Sequence, residues 1–541
     1  MLLCFAASLL VLCSLIGWLH NVHVLTTNGM YKSIDAEPWI ADPAHARLDR
    51  SNYLYFPLYG AMARGLDAVG ILKGVPWKQL AYLNAFWASL AMVVVYAFIY
   101  AATRSVLAAA FAACFHLGCG YFLSLAVINE DIMPGYTLVL AAMALAGLSF
   151  GRPSLAQVVT VGVLFSLGWL IEWRLIFPTL PALALALALS GHSPARRATL
   201  VCALLASILV VAWVASILSA GHNGAVGLLG ILWTGKGVDT GWAGLSVHKL
   251  WLMLSGLGNY LLFFGLLYDP ASAERAVIPL AVSVLLQVGI LAASIVMLWP
   301  QRNSRRVRAI AVVFLGTFAA GEVFNLYSQP QDPQMQINVM AWLTAAWGLL
   351  LAAVAARSRA SAMVLCGVAL LPAAWNFTQL AQYRHGDTAA IAALDALEKR
   401  FPPASTVFVY WGFETIATWQ FALWSRTWDW DGEANLPTAP VPDPKFKWVA
   451  ITAGAIRHPS WSAEQHASAI EHDINQALDR GYWVLISDVW AWSETELKNQ
   501  LAALSAGDRS DAIYRMLHDN YAAEPVHGDA AAGAYYELKR R

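Results

Sequence analysis

The sequence predicts a polytopic α-helical membrane protein that ends in a small α/β domain. Three observations carry that prediction. Of 541 residues, 59% are hydrophobic and only 13% are charged, against about 25% charged in an ordinary soluble domain. Apolar runs of bilayer length recur through residues 1–379, each crossing taking about 20 residues. From 380 to 541 acidic residues become frequent and the apolar runs shorten to strand length. Mean hydropathy is +0.54, and 24 Trp with 19 Tyr suit the aromatic belts of a membrane protein. A net charge of zero gives no electrostatic footprint for nucleic acid.

The apolar runs fall at 2–19, 80–101, 105–128, 132–150, 155–171, 175–190, 198–219, 276–299, 309–327, 337–356 and 360–379. The first has no basic leader and no small-residue cleavage site, so it reads as an uncleaved helix. Arg104, Arg152, Arg196 with Arg197, the cluster Arg302, Arg305, Arg306 and Arg308, and Arg357 with Arg359 occupy short loops. Placing these loops in the cytoplasm satisfies the positive-inside rule. Segments 20–79, 129–131, 172–174, 220–275 and 328–336, and everything after 380, then lie outside. The stretch 249–268 is apolar enough to cross, yet one extra crossing would strand the Arg302–Arg308 cluster outside. It either stays at the interface or pairs with a weak crossing near 223–234, so 11 to 13 helices are expected, in odd number. All six cysteines (Cys4, Cys13, Cys114, Cys119, Cys202 and Cys366) sit in apolar runs and read as small core residues.

In the C-terminal part, TVFVYW (406–411), KWVAIT (447–452), YWVLIS (482–487) and AYYEL (534–538) have the β-branched and aromatic character of strands. Residues 413–424, 462–480 and 492–505 read as amphipathic helices between them. Strands alternating with helices imply βαβ units and a small parallel sheet.

Four polar clusters stand out in the membrane half. The first outer segment is long, and its stretch 33–60 carries Asp35, Glu37, Asp42 and Asp49. Loops of that length are usually functional, although each acid taken alone could be a cap or turn former. The second cluster is Asn129-Glu130-Asp131, shortly before Pro134. One acid there complements a helix dipole, but two are more than a cap needs. The third is Glu172-Trp173-Arg174 between two apolar runs, where charge is costly and is usually paired or functional. A spacing of two points the side chains to different helix faces, so a break is expected, with each charge facing another partner. A local interfacial ion pair is the plainer alternative. The planar guanidinium of Arg174 suits a phosphate. The fourth cluster holds Glu322 and Asp332 among Tyr, Gln and Asn at 321–336. His116, alone in an apolar helix, reads as a packed core residue. All four clusters map to the outer helix ends, so one site at the outer membrane surface is expected.

This pattern resembles the GT-C superfamily of membrane glycosyltransferases, which use polyprenyl-phosphate-linked sugars. The shared features are a long, acidic first outer loop after helix 1, a second acid motif after helix 3, 11–13 helices and an outer C-terminal domain. The resemblance implies a transmembrane domain at 1–379, with outer loop 20–79, and an extracytoplasmic α/β domain at 380–541. It implies catalytic acids among Asp35, Asp42, Glu130 and Asp131. Arg174 would grip the donor phosphate, with Lys236 or Lys249 as helpers, and Glu37, Asp49, Glu172, Glu322 and Asp332 would complete the substrate surface. A divalent cation, Mg or Mn, is compatible with so many acids. The implied reaction is an inverting transfer of a hexosyl or pentosyl group from a polyprenyl-phosphate sugar to a glycan, lipid or protein acceptor, at the outer face of the cytoplasmic membrane. The rival reading is a transporter or flippase of a lipid-linked glycan. Such proteins often show repeat symmetry and broken helices, and neither is visible in the sequence.

Overall fold

The structure is a computed structural model that describes residues 1–19, 28–49, 52–71, 76–232, 245–264, 277–382, 384, 399–402, 405–411, 448–456, 461–503, 506–529 and 533–541. Every apolar run of the membrane half is helical. Eight helices among the described residues are long and apolar enough to cross a bilayer: Leu2–Leu19, Lys78–Thr103, Ile132–Ser149, Pro194–Leu218, Val277–Gln301, Arg305–Tyr327, Pro333–Ala355 and Arg359–Ala381. The chain is therefore a multi-pass membrane protein.

By length these eight fall short of the expected 11 to 13, for three reasons. The run 105–128 is not one rod but two helices, Val106–Gly118 and Gly120–Ala126, bent by 73°; counted as one span they make nine. The runs flanking Glu172 give Leu155–Ile171 and Trp173–Ala188, apolar but shorter. At 1.5 Å per residue, 17 residues reach about 25 Å, less than the roughly 30 Å hydrocarbon core. The stretch 249–268 forms only Val247–Leu261, 15 residues long, and its end from 265 lies outside the described residues.

The bend at Cys119 is built, not frayed. Cys119 is extended (φ −63°, ψ 134°), which frees backbone groups that lipid cannot satisfy. Asn376 meets part of that need. Its amide donates to Gly118 O at 2.6 Å and Leu261 O at 2.8 Å, and its oxygen accepts from Phe263 N at 2.6 Å. Gly120 permits the approach, because a Cβ there would lie 2.7 Å from Asn259 O and 2.8 Å from Phe263 N. His116 is fully buried and bonds Thr344 Oγ1 at 2.7 Å and Tyr136 OH at 3.0 Å, the packed core histidine expected.

The described residues between the first two long apolar helices are largely helical. Asn28–Ala41 and Tyr55–Ala68 fold against each other, and the turn between them is pinned to the bundle by Leu48 N→Asn223 O (2.8 Å) and Leu54 N→Leu170 O (2.9 Å). Gly60 sits under Trp39, where a Cβ would come within 2.6 Å of Trp39 O and 2.9 Å of its carbonyl carbon.

The C-terminal part has its own buried apolar cluster, drawn from residues 407–538, while the membrane half's runs from Leu12 to Leu380. Its strands are β1 (Thr406–Tyr410), β2 (Trp448–Ala450), β3 (Trp483–Ile486), β4 (Tyr521–Asp529) and β5 (Gly533–Arg540), in the order β2-β1-β3-β5-β4. β1 runs parallel to β2 and β3, but β5 is antiparallel to β3 and β4. The sheet is thus mixed, where the sequence led to a parallel one. β4 escapes a pattern search because Pro525 and Gly528 interrupt it; it is an edge strand with a register shift between Pro525 and His527, the setting in which strand prolines are tolerated. Helices Ala463–Asp479 and Glu494–Ala503 lie where amphipathic patterns were read, and Ser510–Asn520 is an addition. The helix expected at 413–424 lies outside the described residues.

Gly60→Val should force the first-segment helices apart. Backbone, not a flexible side chain, stands in the way, so a cost of about 1–3 kcal/mol is expected. Thermal unfolding in lipid nanodiscs should show a lowered Tm and faster proteolysis within residues 28–68.

Candidate active site

Glu130 and Asp131 are positioned by backbone capture. The Asn84 amide donates to Ile128 O and Glu130 O, both at 2.6 Å, and Tyr55 OH reaches Glu130 O at 3.4 Å. Tyr59 OH in turn donates to Asn84 Oδ1. This holds the short non-helical stretch before Ile132–Ser149 in one shape, with Asn129, Glu130 and Asp131 all fully buried. The Glu130 carboxylate accepts from Gln334 Nε2.

Asp131 pairs with Lys32, Nζ to Oδ2 at 2.7 Å. Lys32 comes from the Asn28–Ala41 helix, and its ammonium also donates to Asn52 Oδ1 at 3.0 Å and lies 5.5 Å from the Phe56 ring centroid. The Asn52 amide points the other way, donating to Ile171 O at 3.1 Å and Glu172 Oε2 at 3.0 Å. Glu172 receives Arg174 at both oxygens: Nε at 2.7 Å and Nη2 at 3.2 Å, with the Arg174 backbone N–H at 3.1 Å. The remaining Nη1 of Arg174 faces Asp332 at 3.7 Å. Asn52 thus joins two ion pairs into one connected network fed by five stretches of chain.

Glu172 and Arg174 pair directly, contrary to the expectation of separate partners. The helix does break there, with Glu172 extended (φ −140°, ψ 104°) as the cap of a single 3-10 turn, and that geometry lets its carboxylate fold back onto the guanidinium. Lys32 and Arg174 keep a small exposed fraction, 13% and 16%, as does Asp332 at 10%, while the Asp131 and Glu172 side chains are at 0%.

Burial and charge act against each other here. Burial pushes the Asp131 carboxyl up, but Lys32 and then Arg174 outweigh it and hold the group below its usual range. Burial wins at Glu172, whose carboxyl is held above its usual range despite Arg174, with Asp131 adding to the rise. Asp332 is also raised by burial against the pull of Arg174.

The remaining sequence-nominated residues are spread more widely. Asp35 is exposed, three residues after Lys32 on the same helix, so the two share a face. Glu37 and Asp49 are half-buried, and Asp49 is close enough to contribute to holding Lys32 charged. Asp42 is exposed beyond the helix end and pairs with His45 at 2.7 Å. Glu322 lies deeper, accepting from Asn325 Nδ2 at 3.3 Å. Lys249 points its ammonium at Tyr327 O (2.9 Å) and Ser328 O (2.8 Å), where it caps the Arg305–Tyr327 helix just before Asp332. Lys236 lies outside the described residues. No three His, Cys, Asp or Glu side chains converge as metal ligands among the described residues.

Lys32, Asn52, Asn84 and Gln334 escaped the sequence reading, which looked for acids. One signal was available: Lys32 is the only Lys or Arg between residues 20 and 46, three positions before Asp35.

Asp131→Ala should leave the Lys32 ammonium buried without its counter-ion and lower stability by about 3–5 kcal/mol. The double variant Lys32→Met/Asp131→Leu should recover most of that in the same unfolding measurement.

No family sequence model matches this chain, and no curated protein sequence matches it either. Among solved structures, it resembles ArnT from Cupriavidus metallidurans bound to undecaprenyl phosphate, with a TM-score of 0.51 and 13% identity over 99% of this chain and 97% of that one. The oligosaccharyltransferase of Archaeoglobus fulgidus, in complex with zinc and sulfate, gives a TM-score of 0.47 and 14% identity over 98% of this chain and 72% of that one. At such identities the likeness is one of fold alone: the chain folds like the ArnT structure over nearly its whole length.

Proposed function

We propose that this chain, a multi-pass membrane protein with the GT-C fold, transfers a sugar from a polyprenyl-phosphate donor to an acceptor at the outer face of the cytoplasmic membrane. The observation that carries the reading is the network of Lys32, Asp131, Asn52, Glu172, Arg174 and Asp332, in which both cations keep some exposure while Asp131 and Glu172 are fully covered. The resemblance to a structure that holds undecaprenyl phosphate supports the donor class.

A lipid-linked sugar leaves its phosphate behind as the glycosidic C–O bond breaks, so negative charge grows on that phosphate. Lys32 and Arg174 are placed to receive it. Arg174 offers a planar fork that matches two phosphate oxygens. It must then release Glu172 and Asp332, and the phosphate takes the place of these carboxylates on the guanidinium. Asp131, held ionised by Lys32, keeps the ammonium fixed. Asp35, exposed on the Lys32 face, is the acid that an acceptor arriving from water meets first. In its role as base it takes the acceptor proton while the acceptor oxygen or nitrogen bonds the anomeric carbon from the side opposite the phosphate. Inversion follows from that geometry.

The transporter reading gains one observation, the broken helix at Cys119, which the sequence did not reveal. The two readings part on chemistry. Purified protein given a radiolabelled polyprenyl-phosphate sugar should release or transfer the label; movement of intact donor across the membrane without cleavage would favour transport.

Asp35→Asn should lower turnover at least about a hundredfold, as for a lost general base, with donor binding retained; an unchanged rate would move the base to Glu37, Asp42 or Asp49, tested in the same way. Arg174→Lys should weaken donor binding, and Glu172→Gln with Arg174→Gln should not restore it; normal donor binding in the double variant would reduce Arg174 to a counter-ion. A reporter fused after Arg541 should be active only outside the cytoplasm.

A further inference from the structure

The C-terminal sheet changes direction beside β1. The chain leaves β1 to one side for β2 and returns to the other side for β3. In open α/β sheets a ligand crevice lies outside the carboxyl ends of the strands at such a switch point. β1 and β3 are parallel and in register, Val409 beside Ile486, so both carboxyl ends open on one edge. Trp411 follows β1, and Asp488, Trp490 and Trp492 follow β3. The Trp411 and Trp492 rings lie 5.1 Å apart at 56°, and Trp490 meets His518 at 4.3 Å. These rings are half-buried, whereas Asp488 is exposed. Asp488 opens the short helical turn Asp488–Ala491, which carries Trp490 and leads directly into Trp492.

We infer that this crevice binds a saccharide, with Trp411 and Trp492 stacking on pyranose C–H faces and Asp488 accepting from ring hydroxyls. A half-exposed indole offers an apolar face and a polar edge, and a pyranose presents the same alternation. The carboxylate argues against phosphate, and no described lysine or arginine pairs with Asp488 to offset it. The next helix, Glu494–Ala503, touches Val247–Leu261, whose Lys249 caps the helix leading to Asp332. The crevice is thus one helix removed from the candidate active site, and the saccharide it holds is the acceptor glycan. That assignment as acceptor rests on the transferase reading; saccharide binding as such does not.

Full-length protein in nanodiscs prepared without glycoside detergent, titrated with maltoheptaose and with chitotetraose, tests the inference. Calorimetry or tryptophan fluorescence should show saturable binding of at least one. Trp492→Ala and Asp488→Asn should each weaken it by about tenfold, roughly the worth of one good contact, with unchanged melting, and Lys32→Ala should leave it intact. Absence of binding by both sugars up to about 10 mM, or binding indifferent to both crevice variants, overturns the inference. So does tryptophan quenching by brominated lipid tails that disappears in Trp492→Ala, because the ring would then be part of a membrane belt. Saccharide binding without sugar transfer leaves the crevice standing and removes the transferase reading.

Discussion

Two ion pairs held in a low-dielectric setting, Lys32 with Asp131 and Arg174 with Glu172, are what this end of the helix bundle is organised around. A buried charge without a partner is expensive, and removing one member of a buried pair costs more than the pair is worth in place. The fold therefore has to bring the members from distant parts of the chain to a common depth. Asn52 makes the two pairs one unit by bonding Lys32 with its oxygen and Glu172 with its nitrogen. Much of the local architecture follows as a means of holding these few atoms: the Asn84 clamp on residues 128–130, the break at Glu172 and the Gln334 bond to Glu130.

The same arrangement accounts for how a site can stay charged inside a protein that is mostly apolar. The Asp131 and Glu172 carboxylates are fully covered and held by partners, while Lys32 and Arg174 keep a small exposed fraction. In the proposed transfer, exchange of a carboxylate for a phosphate on Arg174 would keep the charge count of the pair and so limit the desolvation penalty. The network is a structural tie; in the proposed transfer its cations would also form a preformed anion site, and preorganised charge of this kind loses little to reorganisation.

Breaks in helices are the second theme. At Cys119 and at Glu172 the chain gives up helical hydrogen bonds at or near membrane depth, and in both places neighbouring groups take up the freed positions: the Asn376 amide at one, the Glu172 and Arg174 pairing at the other. Irregular backbone survives at that depth only where protein covers it. Both breaks explain why helices counted from apolar length alone exceed those long enough to cross.

The sequence by itself determined the membrane class, the apolar helices, the α/β character of the C-terminal part and the polar residues Glu130, Asp131, Glu172, Arg174 and Asp332 between apolar runs. Apolar length and isolated charges in apolar surroundings are local signals, and they can be read one segment at a time. Tertiary structure alone decided which charges meet. Lys32 looks ordinary in a polar segment until its helix folds back onto the bundle. Asn52 has no sequence mark at all, because an amide becomes a bridge only when two charges flank it. The pairing of Glu172 with Arg174 depended on an extended backbone angle that a spacing of two does not reveal. The antiparallel β4–β5 edge depended on sheet pairing between residues that carry Pro525 and Gly528. Partner choice is a property of three-dimensional proximity in a low-dielectric medium, so the residues were legible and their relations were not.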